Sequence, residues 1–182
     1  MAPRIEGYAI ISADGMIANA AGIHPDELKN EADLRFFHDG LDRAGLVVHG
    51  RDSHEGGASA DARRRLILTR SVRAAQSDPH RRNVFLWNPA GAAFEQAWQV
   101  AGAAPFVAVI GGTEVFGLFL EIGYDAFHLT RSAHVQLPGG RPVFPVVPDK
   151  RPEEILAAHG LRPGATQILD AAAGVTLVSW QK

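Results

Sequence analysis

The stretch Phe106 to Leu120, FVAVIGGTEVFGLFL, constrains the fold more than any other part of the chain. It opens on an apolar run, Phe106 to Ile110, with no polar alternation. Such a run suits a strand buried on both faces, as in parallel sheets. Gly111 and Gly112 follow, where a backbone can turn sharply or let a ligand come close. Thr113 stands where a helix N-cap belongs, and Val115, Phe116, Leu118, Phe119 and Leu120 continue in a helical pattern. Strand, tight turn and helix in that order leave unpaired N–H groups and a positive dipole end just past the strand, which is an anion site. The same residues also suit a turn in an α/β core that binds nothing.

The rest of the chain alternates strand and helix patterns. Ile5 to Ser12 reads as a strand, Asp14-Gly15 as a turn and Met16 to Ala18 as a brief resumption. Asn19 to Leu28 is a loop. Asn30 is placed to cap a helix over Glu31 to Leu41, with Leu34, Phe37 and Leu41 on one face and core-facing. Gly45 to His49, Arg65 to Thr69 and Asn83 to Trp87 read as strands. Ser53 to Asp61 reads as a mobile loop or weak helix, Gln76 to Arg82 as a polar loop and Pro89 to Ala101 as a helix. Beyond the Gly-Gly stretch come a strand over Ala126 to Arg131, an irregular Pro/Gly-rich segment over Leu137 to Pro148 and a short helix over Pro152 to His159. Gln167 to Leu169 and Val175 to Trp180 close the chain as antiparallel strands. The expected class is α/β: a mostly parallel central sheet, helices on both faces and an antiparallel C-terminal edge. Residues 1–182 read as one domain, since no linker interrupts the pattern.

Composition narrows the chemistry. A formal net charge of -2 without a long basic run gives no reason to expect nucleic acid or an anionic membrane as partner. The absence of cysteine excludes disulfides, thiolate catalysis and Cys-ligated zinc. The eight histidines are scattered without His-Glu-x-x-His spacing, so no metal site is expected. No signal peptide or membrane-spanning run is read, and a cytoplasmic protein is expected. Neither G-x-G-x-x-G, nor a P-loop, nor G-x-S-x-G occurs.

In open α/β sheets ligands bind at the carboxyl ends of strands. Gly50-Arg51, Thr69-Arg70-Ser71 and Gly111-Gly112-Thr113 each follow an expected strand. They combine glycine backbone, hydroxyls and guanidinium forks that suit phosphate. Asp33 is the carboxylate to single out. As the third residue after Asn30 it could simply favour the helix dipole. It also stands four residues before Phe37, one above the other on one helix face, where burial would raise its pKa and where it could hold a flat, amino-bearing heterocycle.

Taken together, these segments resemble the dihydrofolate reductase superfamily, which includes the reductase domain of riboflavin biosynthesis. GYAIISADGMIA resembles the family's first strand and loop, and EADLRFFH its helix with the catalytic carboxylate, which falls on Asp33. VVHGRDS and RRRLILTRS resemble the cofactor-phosphate turns. VAVIGGTEVFGLFL resembles the Gly-Gly segment, where a cis peptide joins the glycines. DAFHLTR places Thr130 as support for the acid, and PGGRPVFP resembles the segment before the last strands. The resemblance implies NADPH as cofactor, held by Ala9, Ile17, Gly50, Arg51, Asp52, Thr69, Arg70, Ser71, Ile110, Gly111, Gly112, Thr113, Glu114, Val115 and Phe116. It implies Ile10, Leu34, Phe37, Arg63 and Thr130 on the substrate side, with Asp33 catalytic.

The implied reaction is hydride transfer from NADPH to a C=N bond of dihydrofolate or a related dihydropterin. The alternatives are a riboflavin-type reductase of a ribosyl- or ribityl-pyrimidine, or a non-catalytic nucleotide- or pterin-binding protein. The loop NAAGIHPDELKNEAD lacks the tryptophan usual in the family, with Leu28 nearest that place, and the Arg51 to Arg63 region is short and polar. A smaller or differently tailed substrate follows from both. A monomer or a homodimer is implied, according to the branch.

Overall fold

A computed structural model describes residues 1–53, 56, 57 and 59–182. Its strands are β1 (Arg4–Ser12), β2 (Met16–Ala18), β3 (Leu46–Gly50), β4 (Arg65–Leu68), β5 (Ala75–Ser77), β6 (Val84–Trp87), β7 (Phe106–Val109), β8 (Ala126–Ser132), β9 (Arg141–Pro142), β10 (Arg162–Pro163), β11 (Gln167–Asp170) and β12 (Val175–Gln181). Its helices are α1 (Glu31–Arg43), α2 (Phe94–Val100), α3 (Thr113–Ile122) and α4 (Pro152–Ala158). The main sheet runs β10-β12-β8-β1-β7-β3-β4-β6-β5, with β11 on β12. From β8 through β6 neighbouring strands are parallel, and β12 and β5 run antiparallel at the two sides. The expected mixed sheet with its antiparallel C-terminal edge is what forms.

Strand alternation divides the core. Leu46, Val48, Val107 and Val109 point to one face, where they meet Phe94 and Trp98 of α2, Phe116 and Phe119 of α3, and Leu156 of α4. Val47, Ala108 and Tyr8 point to the other, where α1 lays Leu41, Phe36 and Phe37 over them. The second layer is small because a single helix covers it. A Cβ on Gly40 would lie 2.5 Å from the Tyr8 ring, so glycine lets α1 sit close on β1. The helix therefore continues through Gly40 to Arg43, two residues past the expected end.

Several local expectations shift. Asn30 caps α1 as expected, its Oδ1 accepting from the N–H groups of Ala32 and Asp33. Leu34 does not face the core; it is 49% exposed, because the α1 face there borders a cleft rather than the sheet. Residues 88–92 form a turn in which Asn88 accepts from Ala90, Gly91 and Ala92, and helix α2 starts only at Phe94. Part of the segment read as a polar loop pairs with β6 as β5; its exposed residues carry no apolar signal. Within the irregular stretch, Arg141–Pro142 pairs with β2 as a separate two-stranded sheet. The loop expected over 53–61 lies partly outside the described residues and ends in a 3-10 turn over Ala60–Ala62. Among the described residues, no helix is long and apolar enough to cross a membrane.

The α1 face of β1, β8 and β12 carries a buried charge. Glu6 Oε1 accepts from Arg4 Nε at 2.6 Å, and Oε2 accepts from Tyr8 Oη at 2.8 Å and His128 Nε2 at 3.0 Å. His128 Nδ1 meets Ser179 Oγ at 2.7 Å. Burial by itself would raise the Glu6 carboxyl, but the bonds from His128, Tyr8 and Arg4 outweigh it and hold the pKa at about 2, against an ordinary 4.5. A folded-state pKa below the unfolded one stabilises the fold above pH 4.5, and that contribution, about 3 kcal/mol, is lost as pH falls through the folded value. Glu6→Gln is expected to lower the urea midpoint at neutral pH and to have a much smaller effect near pH 2. Equal midpoints for the two proteins at neutral pH would show that the network contributes nothing.

Candidate active site

One wall of the cleft is backbone. Strands β3 and β7 are neighbours, so their carboxyl ends come together: Ile110 N–H donates to Val48 O at 3.0 Å and Gly50 N–H to Gly111 O at 2.8 Å. The Gly111–Gly112 peptide is cis, as the family resemblance implies. The N-cap of α3 is Gly112, not Thr113, and no side chain caps it. Thr113 is the first helical residue, and its hydroxyl is drawn off to Pro142 O at 2.5 Å. The first bond inside the helix runs from Phe116 N–H to Gly112 O, so the N–H groups of Thr113, Glu114 and Val115 have no partner within the helix. These three residues line the cleft together with Gly50 and Arg51. A Cβ on Gly112 would lie 3.1 Å from Ser53 Oγ and 3.9 Å from Ile17 Cδ1, which marks how closely that wall is built.

The facing wall comes from α1, β1 and β8. Asp33 is half-buried on the first turn of α1. Thr130, on β8 and 1% exposed, hydrogen-bonds its carboxylate. Burial raises the Asp33 pKa above its ordinary 3.8, while the Thr130 bond and the charge of His24 act the other way. Ile10 pairs in register with Thr130, and Tyr8 with His128, so alternate residues of two strands form the floor beneath Asp33. Between the walls lies a cleft of about 1400 Å³.

Most of the residues expected at the site meet there. Ala9, Ile10, Ile17, Asp33, Leu34, Phe37, Gly50, Arg51, Asp52, Ile110, Gly112, Thr113, Glu114, Val115, Phe116 and Thr130 line this cleft. Gly111 lies just beneath the surface, with a Cβ there 2.9 Å from the Phe116 ring. Thr69, Arg70 and Ser71 do not line it. They follow β4 at the same end of the sheet, where Leu68 is in register with Gly50, and the Thr69 hydroxyl is turned onto Ser71. Arg63 is not at the cleft at all. Its guanidinium bonds Asp42 Oδ1 at 2.7 Å and lines a depression with Gly45 and Gly102–Pro105, where β3, β4 and β7 begin. Arg63 therefore does not share the cleft with Asp33.

The cleft also recruits residues that sequence reading passed over: Tyr8, His24, Phe36, His128, Arg141 and Pro142. The alternation of β1 puts Tyr8 beside Ile10 on the α1 face, a signal available in the sequence. His24 arrives through a loop turn and Arg141 through the β2–β9 pair, and periodicity announces neither. Among the described residues, no group of three His, Asp or Glu is placed to hold a metal ion.

The raised pKa of Asp33 has a consequence for stability. A folded-state value above the unfolded one means the group's contribution is full below pH 3.8 and declines as pH rises through the folded value. Asp33→Asn is therefore expected to melt at a higher temperature than wild type at about pH 8, with the difference shrinking toward pH 4. Differential scanning calorimetry across that range checks it; a variant that melts lower at pH 8 would contradict the burial argument.

No protein-family model matches the sequence, and no curated protein sequence matches it. Solved structures do match. A protein assigned to riboflavin biosynthesis from Shewanella sp. PV-4 superposes with a TM-score of 0.71 at 18% identity, over 98% of both chains. A diaminohydroxyphosphoribosylaminopyrimidine deaminase/5-amino-6-(5-phosphoribosylamino)uracil reductase from Thermotoga maritima gives 0.67 at 17% identity, over 99% of this chain and 56% of that one. The chain thus spans little more than half the length of that protein. A pyrimidine reductase-like protein from Corynebacterium diphtheriae gives 0.67 at 14% identity, over 98% of this chain and 91% of that one. These superpositions, with the mostly parallel sheet and its antiparallel edge, show that the chain has a dihydrofolate reductase-like fold.

Proposed function

We propose that this protein is an NADPH-dependent reductase that acts on the C=N bond of a ribosylamino-pyrimidine. The observation that carries the reading is the juxtaposition across one cleft of the half-buried Asp33, with its raised pKa, and the Gly50, Gly112 and α3 N-terminal wall. The similar structures favour the pyrimidine over dihydrofolate, since two of those reported carry pyrimidine reductase names and one a riboflavin name. Dihydrofolate is the second reading, supported by Asp33 above Phe37, which suits any flat ring bearing adjacent amino and N–H groups.

The wall fits a dinucleotide phosphate. Gly50 and Gly112 allow close approach, the unpaired N–H groups of Thr113, Glu114 and Val115 suit an anion, and Arg51 adds a guanidinium. Arg70, with Thr69 and Ser71, would reach the adenosine 2′-phosphate from the end of β4. Ala9, Ile17, Ile110 and Phe116 would flank the nicotinamide, with Asp52 and Glu114 at the rim. When bound, the cofactor supplies the hydride that reduces the C=N carbon. Asp33 accepts the amino and ring N–H hydrogen bonds of the pyrimidine and so orients it, with Thr130 fixing the carboxylate. Ile10, Leu34 and Phe37 cover the ring faces and exclude water.

Spectrophotometric NADPH oxidation tests the reading, with 5-amino-6-(5-phosphoribosylamino)uracil and dihydrofolate as parallel substrates. Oxidation with the pyrimidine is expected, falling by about two orders of magnitude or more in Asp33→Asn. Turnover of dihydrofolate alone would establish the second reading, and turnover of neither would sink both. Gly112→Ala separately is expected to weaken NADPH at least ~10-fold by fluorescence titration with little change in melting temperature, because the added methyl meets only Ser53 and Ile17 at the cleft surface.

A further inference from the structure

The cleft holds more proton-carrying groups than the orienting acid. Reducing a C=N bond needs a proton on nitrogen as well as a hydride on carbon. Asp33, spent on holding the amino and ring N–H groups, is not free to deliver it. The lining contains three histidines, His24, His38 and His128. His128 has both ring nitrogens occupied, by Glu6 and Ser179. His38 lies on α1 more than a turn beyond Asp33. His24 differs from both.

A tight turn carries His24 back over β2. Asn19 Oδ1 accepts from Ala21 and Ile23 N–H, each at 3.0 Å, while Asn19 N–H and Ile23 O close the turn at 2.9 Å. The imidazole then folds onto Ile17, whose carbonyl lies 3.2 Å from Nδ1. A carbonyl only accepts, so Nδ1 carries a hydrogen and the tautomer is set. Nε2 has no hydrogen-bond partner among the described residues, so it is an acceptor when the ring is neutral and a donor when it is protonated. Ile17 itself borders Gly112, and His24 interacts electrostatically with Asp33. The ring therefore lines the same cleft as the Gly112 wall and the acid. Asp26, Lys29, Asp33 and Arg141 are the charged groups around it, Lys29 being paired with Asp26 at 2.7 Å.

We infer that His24 is the proton donor of the reaction, giving its Nε2 proton to the nitrogen of the substrate C=N bond. The inference rests on the reductase reading above. In the open-chain imine form of the substrate, the hydride supplied by a bound reduced nicotinamide would add to the C=N carbon, the π electrons would pass to the nitrogen, and that nitrogen would take the Nε2 proton. His24 is left neutral and, being exposed, regains a proton from water.

The test uses the full chain with NADPH and the pyrimidine substrate. His24→Gln is expected to lower kcat about 100-fold or more with the NADPH KM unchanged, to flatten the decline of rate at alkaline pH, and to recover rate with added imidazole in His24→Ala. His80→Gln, at an exposed turn outside the cleft lining, is expected to turn over as wild type does. Without any substrate, the carboxyl ¹³C resonance of Asp33 should titrate at higher pH in His24→Gln, because a nearby positive charge has been removed. Wild-type turnover with kcat within about twofold in His24→Gln, or an unmoved Asp33 titration, overturns the assignment while leaving the reductase reading intact. A wild-type protein that oxidises NADPH with neither substrate overturns both.

Discussion

Strand β1 is hydrogen-bonded on both sides, and the cleft exists because its two partners part company. On one side β7 follows it only as far as Val109, opposite Gly7. On the other side β8 stays paired through Ser132, opposite Ser12. Beyond Gly7 the β7 chain leaves through Ile110 and the two glycines and becomes α3. The carboxyl half of β1 thus has an open flank, and Tyr8 and Ile10 become a floor instead of core. The same divergence sets the separation of the two walls, since the Gly-Gly turn is carried by one partner strand and Thr130 by the other.

The unequal layers explain why the acid is poised as it is. Three helices pack an extensive aromatic core on one face, including Phe94, Phe116, Phe119, Phe127 and Phe144. The other face has α1 alone, seated by Gly40 on Tyr8. A helix that covers a sheet face unaided leaves its first turn over the open cleft, so Asp33 is desolvated without being sealed. Full burial would demand a partner charge; full exposure would leave an ordinary carboxylate. Thr130 supplies one hydrogen bond and no charge, so burial prevails and the pKa rises. Glu6, on β1 on the side of the sheet that α1 covers, shows the contrast: three donors hold it ionised. Two carboxylates on one sheet face are driven in opposite directions by how many donors each meets.

Much of this was legible beforehand because it is local. The apolar run before Gly111-Gly112, the Asn30 cap and the alternation of β1 are properties of neighbouring residues, so backbone and burial preferences reveal them without knowledge of the fold. The edge pieces were not legible. β5 and the β2–β9 pair are short, polar or proline-bearing, and they exist because a partner strand offers free backbone groups. Leu34 misled because helical periodicity marks an apolar stripe without saying whether sheet or cleft lies beneath it. Thr113 misled for a similar reason: a hydroxyl that could cap its own helix finds the Pro142 carbonyl instead.

By itself the sequence determined the order of strands and helices, the turn at Gly111-Gly112 and the acid on α1, since each follows from periodicity, glycine and capping over a few residues. Only the tertiary structure decided which groups face the acid. Arg63 was drawn to Asp42 at the opposite end of the sheet, and His24 was folded onto the Ile17 carbonyl beside the cleft. Both outcomes depend on contacts between residues distant along the chain or on loop closure, where long-range geometry and local hydrogen bonds, rather than residue type, choose the partner.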